Sequence, residues 1–359
     1  MMRPSLDSLP WLPPERLLQG LKRARDALGA TYGQLAPARV RVLELLLGQV
    51  DARVVGLLVE LGVAEALGDE PRGAAELAST LGVQADGLER VLRYAATRDL
   101  VTRSDHGYSA SELTRALAGP GSLAPFARFW TAPWHGDVWD EMATALREGG
   151  VAAEHALGAP FFDWLGEHPE AAADFHGGME ALSALNRPWL ARCFDFTRFR
   201  RICDVGGGVG ANLRAALEAA PAATGVLFDR PEVVSRADLG SLSSRVERAG
   251  GSFFEEVPPD CDLYMLQAIV HDWGDEEVRG LLGRIRAASP GARVLVIEMC
   301  APEDDRWHPA RAMDLQMLAS TGTGRERSRA DFERLFASAG WSVAAVTASP
   351  MEAWLFELT

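Results

Sequence analysis

RICDVGGGVG, residues 201–210, runs into helix-forming sequence from Asn212 to Ala220 and then into a second apolar run, GVLF, that ends at Asp229. Ile202 to Val205 read as a strand that passes straight into glycines. Without a Cβ, Gly206, Gly208 and Gly210 permit positive φ in the turn and let a ligand approach the backbone. A carboxylate roughly 20 residues past such a turn suits the two hydroxyls of a ribose. The stretch therefore predicts a nucleoside-containing ligand at the carboxyl end of the first parallel strand of an α/β sheet.

Two cofactor readings fit the string. Gly206, Gly208 and Ala211 match the dinucleotide pattern G-x-G-x-x-G/A. Asp204, Gly206, Gly208 and Gly210 match D-x-G-x-G-x-G, which resembles the first motif of class I S-adenosylmethionine (SAM) methyltransferases. The remaining pattern weighs between them. Candidate strands lie at 201–205, 224–228, 245–249, 263–267, 293–299, 341–347 and 352–358. The first five alternate with helical or loop segments and predict a parallel sheet. The last two are joined only by Ala348 to Glu352, too short for a parallel crossover, so they predict an antiparallel hairpin. A dinucleotide-binding sheet is parallel throughout. Five parallel strands with an antiparallel terminal pair favour SAM.

The chain has 359 residues, 48% of them hydrophobic, enough for two domains with real cores. A net charge of −14 argues against a nucleic-acid partner. Lys22 is the only lysine among 36 basic residues, which reads as a coding bias rather than a function. No basic-then-apolar leader and no long uninterrupted apolar run is present, which predicts a soluble, cytoplasmic protein without a membrane partner. Cys193, Cys203, Cys261 and Cys300 show no C-x-x-C spacing, and the histidines form no H-E-x-x-H, so no metal is expected.

Residues 1–13 are proline-rich and read as irregular. Apolar positions at helical spacing predict helices over 14–30, 37–50 and 52–66. From residue 73 the order reads helix (Ala74 to Leu81), turn, helix (Asp86 to Thr97), then a hairpin pairing Leu100 to Ser104 with Tyr108 to Ala110. That is a winged-helix-like pattern. Its acidic balance disfavours DNA and favours dimerisation, although a metabolite-sensing regulator stays as an alternative. Residues 120–190 read as helical and rich in rings: Phe126, Phe129, Trp130, Trp134, Trp139, Phe161, Phe162, Trp164 and Phe175. Most of these suit core packing. A few, with Met179, suit a flat apolar slot for an aromatic or polyketide-like substrate.

The second decisive stretch is LYMLQAIVHDWGDEE, residues 263–277. A strand ends there and delivers Gln267, His271, Asp272 and Trp273 to the ligand edge of the sheet. Moving a methyl group onto a hydroxyl needs alignment and a proton acceptor. Histidine, with an ordinary pKa near 6.5, is available as a neutral base at pH 7. Such a base is normally oriented by a carboxylate. Glu298, ending LVIEM, and Glu326, in GTGRERS, are the candidates.

Together these segments resemble a family, the SAM-dependent small-molecule O-methyltransferases of plant caffeate and flavonoid type and their bacterial antibiotic-pathway relatives. ARVVGLLVELGVAEAL, DVGGGVG, FDRPEVV, GGSFFEEVP, LQAIVHDWGDEE, VIEM, MDLQML and GRERSRADFERLFASAGW carry the resemblance, from about residue 40 onward. It implies a class I Rossmann-like sheet with an N-terminal, mainly helical dimerisation domain. The expected division is 1–118 for dimerisation, 119–190 as a helical linker lining the substrate pocket, and 191–359 for SAM. It further implies a homodimer acting on a small-molecule acceptor and releasing S-adenosylhomocysteine (SAH).

By resemblance, His271 is the base flanked by Glu298 and Glu326. Asp204, Gly206, Gly208, Asp229, Arg230, Ser252, Phe253, Gln267 and Trp273 fall at cofactor positions. Met179, Met313 and Met317 fall at acceptor positions, and Phe161, Trp164 and Phe175 from the ring-rich segment and Asp272 from the sheet edge are further acceptor candidates. Two departures stand out. Ser252 replaces the usual carboxylate of G-D-F/M-F, and Gln267 replaces the usual lysine. They motivate a second expectation, a methyltransferase-like fold turned to hydroxylation, decarboxylation or pericyclic chemistry. An NAD-dependent dehydrogenase is the remaining alternative.

Overall fold

The computed structural model describes residues 20, 24, 28, 29, 35–350 and 352–359. The expected irregular segment 1–13 and most of the expected helix 14–30 lie outside the described residues. The two helices expected over 37–50 and 52–66 are instead one helix, Ala38–Glu60, followed by a short one, Val63–Ala66. Asp51 is no helix breaker, so the chain continues until Gly62, where φ is +71°.

The helices Ala74–Leu81 and Ala85–Ala96 follow, then β1 (Val101–Ser104) and β2 (Gly107–Ala110), paired antiparallel. Leu58, Leu77, Leu88, Leu92 and Tyr108 close one core beneath them. Six helices between Ala124 and Cys193 form the aromatic segment. There Phe129, Phe161, Leu165 and Ala319 are buried and most of the remaining rings pack around them.

Among the described residues, one sheet holds seven strands: β3 (Arg201–Val205), β4 (Thr224–Asp229), β5 (Val246–Gly250), β6 (Leu263–Gln267), β7 (Arg293–Met299), β8 (Val343–Ala348) and β9 (Ala353–Leu358). Their order is β5-β4-β3-β6-β7-β9-β8. β3 to β7 are parallel, and β9 is antiparallel to both β7 and β8. β8 therefore runs with the five, and β9 alone is reversed, a refinement of the expected terminal pair. The strands read as near-continuous apolar runs because both faces are covered. Tyr264 and Phe356 sit in one core, Ile202 and Leu213 in the other. The order reverses between β3 and β6, the place where such sheets open a crevice.

Candidate active site

The glycine turn sits where the sequence places it. Gly206, Gly208 and Gly210 have φ of +67°, +59° and +84°. A Cβ on Gly206 would stand 2.3 Å from Ile269 Cδ1, whereas one on Gly208 would meet no heavy atom within 4 Å. That face of the turn stays open to a ligand. Asp229 ends β4 and is already held: its carboxylate accepts the Gly208 and Arg230 backbone N–H groups, each at 2.7 Å. Burial pushes its pKa up, while those two N–H groups oppose the rise.

Other cofactor-position residues are arranged unequally. Asp204 is buried, and its Oδ2 accepts the Leu213 N–H at 3.2 Å. It braces the next helix, and burial lifts its pKa to about 7. The Arg230 side chain turns away from the glycines and donates to Phe162 O at 2.9 Å and Asp163 Oδ1 at 3.1 Å. Ser252 Oγ accepts the Phe254 N–H at 3.3 Å. Phe253 and Phe254 meet the Trp273 ring edge-on at 6.0 and 4.5 Å. Among the described residues, Gln267 Oε1 and Trp273 Nε1 are buried without a hydrogen-bond partner. Unpaired buried polar atoms are costly, so these two fit a polar ligand. Room above the glycines, a fixed carboxylate and those two atoms suit a nucleoside such as that of SAM.

His271 lies on a one-turn 3₁₀ segment, Val270–Asp272, just past β6. Its Nδ1 donates to Glu326 Oε1 at 2.9 Å and stands 3.6 Å from Glu298 Oε2. Its Nε2 is 3.6 Å from Asp272 Oδ1, beyond hydrogen-bond range. With Nδ1 committed as donor, the neutral ring keeps its lone pair on Nε2. Glu298 Oε1 accepts the N–H groups of Ile269, Val270 and His271 at 3.0, 2.7 and 3.3 Å. Burial alone would lower the His271 pKa, but the carboxylates of Glu298, Glu326 and Asp272 outweigh it and hold the imidazole well above its ordinary value. Burial also lifts Glu298 to about 7 and Asp272 to about 6. The arrangement can take up a proton on Nε2, and the surrounding carboxylates stabilise the charged ring.

The acceptor-position residues divide. Phe161 is buried in the aromatic core, its ring 5.4 Å from Phe175, and Trp164 stacks on His168 at 4.0 Å. Phe175 and Met179 are half-buried on that core. Met313 and Met317, also half-buried, lie on the helix Pro309–Ser320. Between them Asp314 Oδ1 accepts the Glu326 N–H at 2.9 Å, a link that no sequence signal marked. Phe162, expected only as a core ring, lies over Trp273 at 5.8 Å and ties the aromatic segment to the sheet edge. Among the described residues, no group of His, Cys, Asp or Glu is arranged to hold a metal ion, and no helix is long and apolar enough to cross a membrane.

A glycine turn at the end of β3, a histidine with three carboxylates past the adjacent strand β6, and the seven-stranded order with β9 reversed mark a class I methyltransferase-type fold. The family model of the O-methyltransferase domain matches residues 139–342, and that of the O-methyltransferase dimerisation domain matches residues 43–119. The chain belongs to the O-methyltransferase family. It is 34% identical over 320 residues to the mitomycin biosynthesis 6-O-methyltransferase of Streptomyces lavendulae, covering 86% of this chain and 90% of that one. It is 35% identical over 303 residues to the 2,7-dihydroxy-5-methyl-1-naphthoate 7-O-methyltransferase of Streptomyces carzinostaticus, covering 81% and 89%. Its fold is similar to that of a methyltransferase of calicheamicin biosynthesis solved with SAH bound, with a TM-score of 0.79, 33% identity, and coverage of 90% and 98%.

Proposed function

We propose that this chain methylates a hydroxyl, phenolic in class, on an aromatic or polyketide-like secondary metabolite, with His271 as general base. SAM, when bound, supplies a methyl group already activated on a sulfonium. The chain's own residues do the rest. The Asp229 carboxylate, fixed by two backbone N–H groups, suits the ribose, and the Phe253, Phe254 and Trp273 rings suit the adenine face. Gly206 and Gly208 suit close passage of the ligand past the backbone. A hydroxyl facing His271 Nε2 gives up its proton there, and the imidazolium so formed keeps its Nδ1–H on Glu326. Asp272, beside Nε2, suits a second polar group of the acceptor, and Met179, Met313 and Met317 suit its apolar faces.

The single observation that carries this reading is the commitment of His271 Nδ1 to Glu326 at 2.9 Å, which leaves Nε2 as the free proton acceptor. A panel of phenols incubated with methyl-labelled SAM tests it. The expected result is labelled ether and equimolar SAH from the wild-type protein, and SAH binding without turnover from His271→Ala. Full turnover by His271→Ala defeats the assigned role. SAM consumption without a methylated product, or none at all across the panel, favours the repurposed-fold alternative.

We also assign residues 1–118 to dimerisation, 119–190 to the substrate-lining segment and 191–359 to SAM binding. The exposed apolar positions Val42, Leu43, Leu45, Leu46 and Leu47 on the Ala38–Glu60 helix support a homodimer. Leu45→Asp with Leu46→Asp is expected to halve the mass seen by light scattering.

A further inference from the structure

The turn between β6 and the helix Asp275–Ala288 carries both His271 and Trp273, which face different ligands in the proposed reaction. Three of its N–H groups end on one buried side chain, since Glu298 Oε1 takes those of Ile269, Val270 and His271. Three of its carbonyls end on the segment 325–327. The His271 carbonyl accepts the Arg325 backbone N–H at 2.7 Å. The Arg327 guanidinium donates to Val270 O at 3.0 Å through Nη1 and to Trp273 O at 2.9 Å through Nη2. It also grips Asp275 Oδ1, at 3.1 Å from Nε and 2.7 Å from Nη2.

Arg327 is 3% exposed, so it is a fully buried cation whose donors point at the backbone on either side of His271 and at one carboxylate. The approach is close on this side: a Cβ on Gly324 would lie 2.6 Å from His271 O and 2.7 Å from Asp272 O.

We propose that Arg327 is a positioning residue for methyl transfer, which spans the turn from Val270 to Trp273 and so fixes the separation of the base from the cofactor-facing indole. A carboxylate holds three donors of the turn and a guanidinium two of its acceptors, with His271 between them. Only arginine fits. Its planar fork addresses two carbonyls and a carboxylate at once, whereas an ammonium is a point charge with no such span. The proposal rests on the methyl-transfer reading for its kinetic consequence but not for its geometric one.

Arg327→Lys keeps the charge and loses the span. It is expected to lower kcat about 10- to 100-fold, in line with the cost of a 1 Å misplacement, and to weaken SAH affinity severalfold as Trp273 loosens. Freed from its carboxylates, His271 is expected to titrate at lower pH, read from its ring proton by NMR. Asp275→Ala, at a half-exposed partner, is expected to move all three readouts the same way by less. Methylguanidinium added to Arg327→Ala is expected to restore part of the turnover where methylammonium does not. Wild-type kcat, SAH affinity and His271 titration in Arg327→Lys overturn the proposal. If that variant does not fold, an unmoved His271 titration in Asp275→Ala overturns it. If the wild-type protein methylates nothing, the functional reading falls, while SAH affinity and the His271 titration still decide the role of Arg327.

Discussion

Two carboxylates at strand ends on opposite sides of the central pair β3 and β6 are treated in opposite ways. Asp229, ending β4, has both oxygens engaged by backbone N–H groups. Glu298, near the end of β7, has one oxygen serving three N–H groups and the other buried without a hydrogen bond among the described residues, 3.6 Å from His271 Nδ1. Glu326 likewise leaves one oxygen buried and unpartnered. The proposed ribose end is thus held by backbone N–H groups. The reaction end stores unbalanced negative charge around an imidazole. Backbone hydrogen bonds suit recognition of an unchanging ligand, whereas surplus charge suits a step in which positive charge develops.

The contrast is broken most severely at the imidazole. His271→Ala removes the proton acceptor and is expected to lower kcat by about 10²- to 10⁴-fold. SAH affinity, measured by calorimetry, should stay within about twofold, because no contact of Asp229 or the glycine turn runs through His271. A matching loss of SAH affinity would show that the two ends are not separable.

The reverse experiment attacks the backbone-built end. Gly206→Ala forces a side chain into a left-handed conformation at φ +67° and pushes on Ile269 Cδ1. Left-handed backbone alone costs about 1–2 kcal/mol for a residue with a Cβ. SAH affinity should fall about tenfold or somewhat more, with a smaller fall in kcat, because Ile269 belongs to the turn that holds His271. Equal losses in both would mean that the glycine serves the catalytic turn as much as the ligand.

Which parts of this contrast were legible in the sequence follows from how each is built. The glycine turn was legible because it depends on backbone conformation, and glycines at fixed spacing after a strand declare that conformation. The strands were placed within two residues for the same reason: apolar runs bounded by Gly, Pro and polar clusters mark buried parallel strands. The His271 cluster was legible by resemblance, not by spacing, since Glu298 and Glu326 reach it from distant elements. Arg327 and Asp275 were missed, because nothing in RERS separates a buried guanidinium from a solvated one. The Ala38–Glu60 helix was split in two because apolar periodicity marks a face and not an end. The rings from Phe126 to Phe175 pack mainly on each other, and composition cannot divide core from pocket.

Between the two ends the electrostatics can be tuned without removing a catalytic group. His271 titrates high because three carboxylates surround it. Its base form is the neutral ring, so kcat/KM should rise with pH through that elevated pKa. Glu326→Gln removes one carboxylate and keeps a hydrogen-bond acceptor. The His271 pKa then falls, and the acid limb of kcat/KM should move to lower pH. At the plateau the rate should drop about tenfold or less, because the imidazolium formed in the reaction loses part of its stabilisation. A limb that moves upward, or does not move, would mean that Glu326 does not act on the titrating base.

The smallest expected effect lies at the proposed adenine side, where Ser252 stands in place of the carboxylate that the family resemblance implies. The hydroxyl accepts the Phe254 N–H at 3.3 Å, a long bond that a carboxylate makes more strongly. A restored carboxylate also offers a charged acceptor to an exocyclic amino group, worth about 1 kcal/mol or slightly more in net terms. Ser252→Asp should therefore lower KM for SAM a few-fold and leave kcat and the pH profile unchanged, since the change is confined to the ligand's far end. Gln267, whose Oε1 is buried and unpartnered, sharpens the test. If that atom already serves as the missing acceptor, Ser252→Asp improves KM little in the wild type and more in a Gln267→Lys background. A gain independent of residue 267 assigns the two departures to separate parts of the cofactor.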